Sequence, residues 1–191
     1  MNVLKFIKEF VLHPTKTGAI APSSPALASL IVEAARVSES RMIVEFGPGT
    51  GVFTEQILEE MPEGADFFAV ELNERFATAA SERCPEAAIY HDCATKSRHY
   101  LASHGQEHCD AIICGLPWAS FSDELQDRLL DTILDILHPG GRFVTFAYLQ
   151  GLLLPAGKAF RQKLRSRFSE VERTRTVWLN LPPAFVYAAV K

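Results

Sequence analysis

Val44-Glu45-Phe46-Gly47-Pro48-Gly49-Thr50-Gly51 is a β-prone apolar run that empties into three alternate glycines and then into a helical stretch at 52–61. Glycine at 47, 49 and 51 lets the backbone bend sharply and leaves no Cβ between the chain and a ligand lying against it. Glu71 ends the next extended run twenty positions after Gly51, where a carboxylate accepts hydrogen bonds from both hydroxyls of a ribose. A nucleotide-like ligand on an α/β fold follows. The spacing argues against a dinucleotide, whose fingerprint GxGxxG keeps its last glycine beside a pyrophosphate. This chain has GPGTG, and Glu45, two residues before the first glycine, suits a ligand with an amino group better than one with two phosphates.

Outward from this turn, short β-branched or aromatic runs alternate with helical ones from Arg41 onward, the pattern of a parallel sheet with helices on its faces. Strands are expected at 41–46, 66–71, 88–91, 110–114 and 142–148, and helices near 52–61, 73–83, 95–104 and 123–137. The last of these helices carries Leu125, Leu129, Ile133 and Ile136 or Leu137 on one stripe, with Asp123, Glu124, Asp127 and Asp131 outside it. Pro139-Gly140-Gly141 reads as its stop and turn. Two extended runs, 171–178 and 184–190, flank Asn180-Leu181-Pro182-Pro183 and read as an antiparallel closing hairpin, which brings the sheet to seven strands. Ahead of the sheet, residues 2–12 form an amphipathic helix with Lys5 and Lys8 on its polar face; its apolar face packs on the protein's own core or lies in a membrane interface. A second helix starts with Ser24 as N-cap and Pro25 as its first residue, turning Leu27, Leu30 and Ile31 inward.

A chain of 191 residues that is 48% apolar and 22% charged is one domain of ordinary size: residues 1–40 as helices and lid, 41–191 as core. No apolar run is long enough to span a bilayer. Cys84, Cys93, Cys109 and Cys114 form no CxxC pair and no signal segment opens the sequence, which suits a reducing cytoplasm. His99, His104, His108 and Cys109 sit in a stretch with the polar and glycine residues of a helix end and loop, without the tight paired spacing of a zinc site. Net charge is -4, but residues 41–157 hold seven basic and eighteen acidic side chains, while 158–191 hold eight basic and two acidic. A basic tail touches anionic lipid or nucleic acid, or is simply a solvated helix face.

ExGxGxG followed by an acidic end to the second strand resembles the class I S-adenosylmethionine-dependent methyltransferases over residues 41–148, and implies a Rossmann-like, mostly parallel seven-stranded sheet. The resemblance implies that Glu45, Gly47, Gly49 and Gly51 line the methionine end of S-adenosylmethionine, that Glu71 takes the ribose with Leu72 beside the adenine, and that Asp92 meets the adenine amino group. For Asp92 a loop cap is the plainer alternative. Cys114-Gly115-Leu116-Pro117-Trp118 resembles the motif by which amino-group methyltransferases hold the target nitrogen, with Gly115 in place of the family's Asn or Asp. A base amine profits from that missing side chain. An aliphatic amine needs only to lose its proton and be aimed at the methyl group.

Thr17-Gly18-Ala19-Ile20-Ala21-Pro22-Ser23-Ser24 resembles the leader of the bacterial phospholipid N-methyltransferases. That branch implies a peripheral enzyme on the cytoplasmic face of the membrane, acting on phosphatidylethanolamine or an aminolipid such as ornithine lipid, docked on anionic membrane by its N-terminal helix. Nucleic acid is not an expected partner. Tyr148 and the carbonyls of Gly115 and Leu116 are the candidate proton acceptors; His91, inside a strand, reads as a packed residue. Trp118 either attracts a methylammonium through its ring face or plugs the pocket mouth. Lys16, Ser23, Ser24, Arg161 and Arg165 are candidates for the lipid phosphate. The rivals are a methyltransferase for RNA adenine or a small-molecule amine, and a non-catalytic module that binds membrane or partner through the helix and tail.

Overall fold

A strand covered by helices on both sides has no solvent face, so it tolerates apolar residues at every position. In the computed structural model, which describes residues 23–191, the run Met42–Phe46 is such a strand, β1, buried at all five positions with Glu45 among them. The others are β2 (Asp66–Glu71), β3 (Ala88–His91), β4 (Cys109–Cys114), β5 (Leu137–Tyr148), β6 (Glu170–Arg173) and β7 (Ala184–Val190). They form one seven-stranded sheet in the order β3-β2-β1-β4-β5-β7-β6. Val44 lies opposite Phe68 on one side and Ile112 on the other, both in parallel register, whereas β7 runs antiparallel to β5 and β6. The order reverses between β1 and β4, so the chain leaves these two neighbours in opposite directions and opens a crevice at their C-terminal ends.

The helices are α1 (Pro25–Ala35), α2 (Val52–Glu60), α3 (Glu74–Arg83), α4 (Ser97–Ser103), α5 (Asp123–Ile136) and α6 (Pro155–Arg167). Ser24 accepts the Leu27 N–H to start α1, Asn73 accepts the Arg75 and Phe76 N–H groups to start α3, and Ser122 accepts the Leu125 N–H to start α5. Each cap satisfies an N–H that the first helical turn leaves without a partner. The stripe of α5 is buried as expected, and Leu27, Leu30 and Ile31 of α1 are likewise inside. One core lies beneath α4, α5 and α6, centred on Phe46, Phe68 and Phe143; the other lies beneath α1 and α2, centred on Ile31, Ile43 and Ile57. Segments 2–12 and 17–22 lie outside the described residues.

Three elements differ from the sequence reading. Pro139-Gly140-Gly141 does not separate α5 from a strand beginning at Arg142; it is a bulge inside β5, which already pairs at Leu137 with Cys109 before resuming at Arg142 opposite Ala111. The extra residues are tied outward, Gly140 donating its N–H to Lys191 O at 3.0 Å and Lys191 returning its own N–H to Gly141 O at 3.1 Å. The first tail strand is also shorter than 171–178. It ends at Arg173, after which pairing continues only through the Thr174 N–H to Val186 O and an isolated bridge between Val177 and Ala184. The expected helix at 95–104 is split into a tight turn, Ala94–Lys96, and α4.

Phe68 is fully buried, with its ring at 5.8 Å from Tyr90 and 5.2 Å from His104. Phe68→Ala is expected to cost about 3–5 kcal/mol through lost burial and a residual cavity, read as a lower midpoint in urea unfolding.

Candidate active site

The glycine turn after β1 takes left-handed backbone at all three positions: φ is 71° at Gly47, 58° at Gly49 and 82° at Gly51. Their surroundings differ. A Cβ on Gly47 would stand 2.7 Å from Leu116 Cδ2, and one on Gly51 would stand 3.2 Å from Arg83 Cδ and 3.3 Å from Ala80 Cα, so both positions are filled by the protein itself. Gly49 faces open space, with nothing within 4 Å of where its Cβ would be. The turn is therefore packed at its two ends and open at its middle.

Two carboxylates converge on it. Glu45 is fully buried; its Oε2 accepts the Thr54 hydroxyl at 2.7 Å, and its Oε1 has no partner. Burial pushes the carboxyl up to about 8, the Thr54 hydrogen bond opposes that rise, and the charge of Glu71 adds to it. Glu71, at the end of β2, accepts the Gly49 N–H at 3.1 Å and the Asn73 N–H at 2.9 Å; burial raises its pKa even so. An orphaned buried acceptor calls for a donor, best a cationic one. A ligand with an ammonium group at Glu45, hydroxyls at Glu71 and its body over Gly49 fits these residues, which is what S-adenosylmethionine offers.

Further along the same edge, Asp92 follows β3. Burial raises its pKa, but hydrogen bonds from the Tyr100 hydroxyl, the Cys93 N–H and the Lys96 ammonium outweigh that and leave it below the usual carboxylate range. Both of its oxygens are thus engaged by neighbouring residues, at 2.7 Å from Tyr100 and 2.7 Å from Cys93. Leu72 is half-buried between Glu71 and the Asn73 cap. His91 is not the packed strand residue expected. It closes β3 as an exposed side chain with Nε2 3.1 Å from Leu72 O, and β2 and β1 separate its strand from β4. His104 and Cys109 also have separate partners: His104 bonds Asp66 and Tyr90, and the Cys109 thiol donates to Ile136 O.

The motif after β4 lies beside the glycine turn. Gly115 donates its N–H to Phe46 O at 2.8 Å, and a Cβ there would stand 2.5 Å from Gly47 O, which explains why no Asn or Asp occupies this position. Pro117 and Trp118 then turn under the end of β5. Trp118 is 4% exposed; its indole N–H donates to Thr145 Oγ1 at 3.1 Å, and one face stacks on Phe160 at 4.8 Å. Gln126, a buried amide on α5, donates to Trp118 O at 2.8 Å and to Phe121 O at 3.4 Å. Gly115, Leu116, Pro117, Trp118 and Tyr148 together line one cavity of about 340 Å³, to which Leu152, Leu154, Gly157, Phe160, Phe185 and Tyr187 also contribute. Among the described residues no Asp, Glu, Lys, Arg or His lines it. Burial holds the Tyr148 phenol above its ordinary value.

The sequence reading missed the floor and far wall of this cavity. Phe160 and Tyr187 come from elements after the fifth strand, and their spacing reads as ordinary core. Gly157 had a signal, as a glycine inside a helical run; a Cβ there would collide with Gly151 O, a backbone crossing that only glycine permits. Gln126 also had one, as an amide on the inward side of an apolar stripe. The basic tail divides by helix face. Lys163 and Arg167 pair with Asp123, Asp127 and Asp131 of α5, whereas Arg161 and Arg165 are exposed on α6. Ser24 is used as a cap and donates its N–H to Asn180 Oδ1 at 2.9 Å, with Ser23 half-buried before it. Lys5, Lys8 and Lys16 lie outside the described residues.

Residues 43–141 match the family described as methyltransferase domain. An ornithine lipid N-methyltransferase of Singulisphaera acidiphila is 28% identical over 186 residues, covering 85% of this chain and 97% of that protein. Among solved structures, an O-methyltransferase from Bacillus cereus in complex with S-adenosylhomocysteine superposes with a TM-score of 0.71 at 15% identity, over 98% of this chain and 91% of that one. The O-methyltransferase TomG from Streptomyces achromogenes, in complex with S-adenosylmethionine, gives 0.70 at 19% identity, over 100% and 90%.

Two outcomes follow from this geometry. Gly115→Asn forces its side chain against Gly47 O and displaces the turn, so calorimetric titration with S-adenosylhomocysteine should show affinity lost by about tenfold or more. For Glu45, the folded state binds the proton more tightly than the unfolded chain between its ordinary 4.5 and about 8, so stability of the free protein falls as pH rises through that window. Thermal melts from pH 5 to 8 should show this decline, Glu45→Gln should flatten it, and a ligand bearing an ammonium group should oppose it.

Proposed function

Since this chain belongs to the family of methyltransferase domains and its cofactor is S-adenosylmethionine, we propose that it methylates the head-group amine of a membrane aminolipid of the ornithine-lipid or phosphatidylethanolamine kind. The observation that carries this reading is the uncharged apolar cavity that meets the cofactor crevice at the contact of Gly115 with Gly47. A nucleobase amine, whose lone pair is drawn into the ring, profits from a polar side chain at 115 that accepts its N–H, and the backbone leaves no space for one. The resemblance to an ornithine lipid N-methyltransferase supports the same substrate class.

The bound cofactor supplies a methyl group on a sulfonium that is already a good leaving group. The protein's task is to deliver an unprotonated amine in line with it. An alkyl ammonium holds its proton at neutral pH, as lysine does. A cavity without a carboxylate desolvates the ammonium and shifts it toward the free base, by the same effect that lowers the pKa of a buried lysine. Tyr148, a neutral phenol at this pH, takes the ammonium proton on its oxygen as its own hydroxyl proton leaves to water, so the amine gains its lone pair and the phenol stays neutral. The carbonyls of Gly115 and Leu116 orient the remaining N–H groups. Glu45 holds the cofactor's amino group, Glu71 its ribose, and Gly47, Gly49 and Gly51 its sulfur end, with Leu72 and Asp92 at the adenine. Trp118, fixed through Thr145 and Phe160, shapes the floor under the amine. Lys16, Ser23, Ser24, Arg161 and Arg165 serve the lipid phosphate. Lys5 and Lys8 help seat the enzyme on the anionic inner face of the membrane. Among the described residues no helix is long and apolar enough to cross a membrane.

Labelled S-adenosylmethionine offered with vesicles containing ornithine lipid or phosphatidylethanolamine should yield methylated lipid, at a rate that rises with pH between about 6 and 9 as the amine deprotonates. Tyr148→Phe should lower kcat by about 10–100-fold with little change in cofactor affinity. Label appearing on RNA or on a free small amine, with none on either lipid, would refute the aminolipid substrate.

A further inference from the structure

The most exposed large apolar side chains among the described residues, Leu153, Leu154, Trp178, Leu179 and Leu181, belong to two loops. Both loops leave one edge of the sheet, where Leu149 at the end of β5 donates its N–H to Pro183 O just before β7, at 2.8 Å. The cavity opens at this edge, because Leu154 forms part of its wall. The turn at 178–181 inverts the usual pattern of burial. Asn180, its polar residue, is 4% exposed, accepting the Ser24 N–H through Oδ1 and donating through Nδ2 to Pro182 O at 2.8 Å. Its neighbours Leu179 and Leu181 are 87% and 79% exposed, and Trp178 is 71% exposed. The amide anchors the turn to the start of α1 and holds the hydrocarbon outward. Side chains that protrude so far offer no flat face to a folded partner, but they suit a medium that closes around them.

The surrounding charge selects that medium. No Asp or Glu occurs between Asp135 and Glu170, or after Glu172. Within these acid-free stretches Lys158, Arg161 and Arg165 of α6 are exposed, and Arg173 and Arg175 lead into the turn. Tryptophan and leucine held outward among lysine and arginine, with Glu33 of α1, 4.0 Å from Arg175, as the carboxylate paired to this group, match an anionic lipid interface.

We propose that the two loops form a membrane wedge. Leu153, Leu154, Trp178, Leu179 and Leu181 enter the acyl boundary, Arg161 and Arg165 sit at head-group level, and the cavity mouth rests on the lipid surface. The wedge's purpose rests on the aminolipid reading above; its test does not.

The chain has two tryptophans, and Trp118 is inside the fold. With the full chain on phosphatidylglycerol-containing vesicles brominated along the acyl chains, emission should be quenched, and Trp178→Phe should abolish the quenching. The triple variant Trp178→Ala, Leu179→Ser, Leu181→Ser should bind these vesicles about tenfold more weakly or worse. It should keep its affinity for S-adenosylhomocysteine, and any transfer to a monomeric short-chain aminolipid should persist. Vesicle-bound wild type without quenching overturns the wedge. So does a triple variant that binds vesicles like wild type, including one whose only change is from dimer to monomer in solution. Quenching with no methylation of any lipid would overturn the substrate reading and leave the wedge standing, whereas lipid methylation without quenching does the reverse.

Discussion

Two backbone segments from opposite halves of the sheet touch where Gly115 meets Gly47, and the rest of the site is arranged around that contact. The Gly115 N–H bonds Phe46 O, and its Cα lies so near Gly47 O that a Cβ would come within 2.5 Å. On one side lie the glycine turn, Glu45 and Glu71; on the other, the apolar cavity lined by Trp118 and Tyr148. In the function proposed above, a methyl donor held by the first and an acceptor held by the second meet at this seam. Sheet topology creates the seam, because β1 and β4 are neighbours whose connections depart in opposite directions.

The two halves differ in electrostatic character, which is what the chemistry asks of them. The cofactor half keeps two buried carboxylates whose pKa values are raised by burial, one with an oxygen left without a donor. This is costly in the free protein and complementary to a cation. For the aminolipid proposed above, a cavity that the described residues line without a charged side chain favours an amine that has already lost its proton. A carboxylate in that cavity would have done the opposite, holding the ammonium as an ion pair and keeping its lone pair occupied.

The parts legible in the sequence are those where backbone conformation or continuous burial dictates residue type. The turn at 47–51 requires glycine at positive φ, β1 and β4 are apolar except at Glu45 and Asp110 because helices cover both faces, and the cap at Ser24 announces its helix. The parts that escaped depend on long-range packing. Pro139-Gly140-Gly141 looks like a local turn, and only the hydrogen bonds to Lys191 make it a bulge within a strand. His91 has the spacing of a core residue, yet it lies at the exposed end of β3. Phe160 and Tyr187 reach the cavity through the fold of the tail, and a stripe of aromatics does not say which of its members will border empty space. Lys163 and Arg167 contributed to the apparent basic tail until α5 was found to neutralise them.

The crossing of Gly157 over Gly151 sets how closely α6 can lie on the loop that follows β5. Since Phe160 and Leu154 ride on that helix and loop, this crossing works as a gauge for the bore of the cavity. Any larger residue at 157 would lever the helix off the loop and widen that bore, while the glycine turn, Glu45 and Glu71 stay as they are.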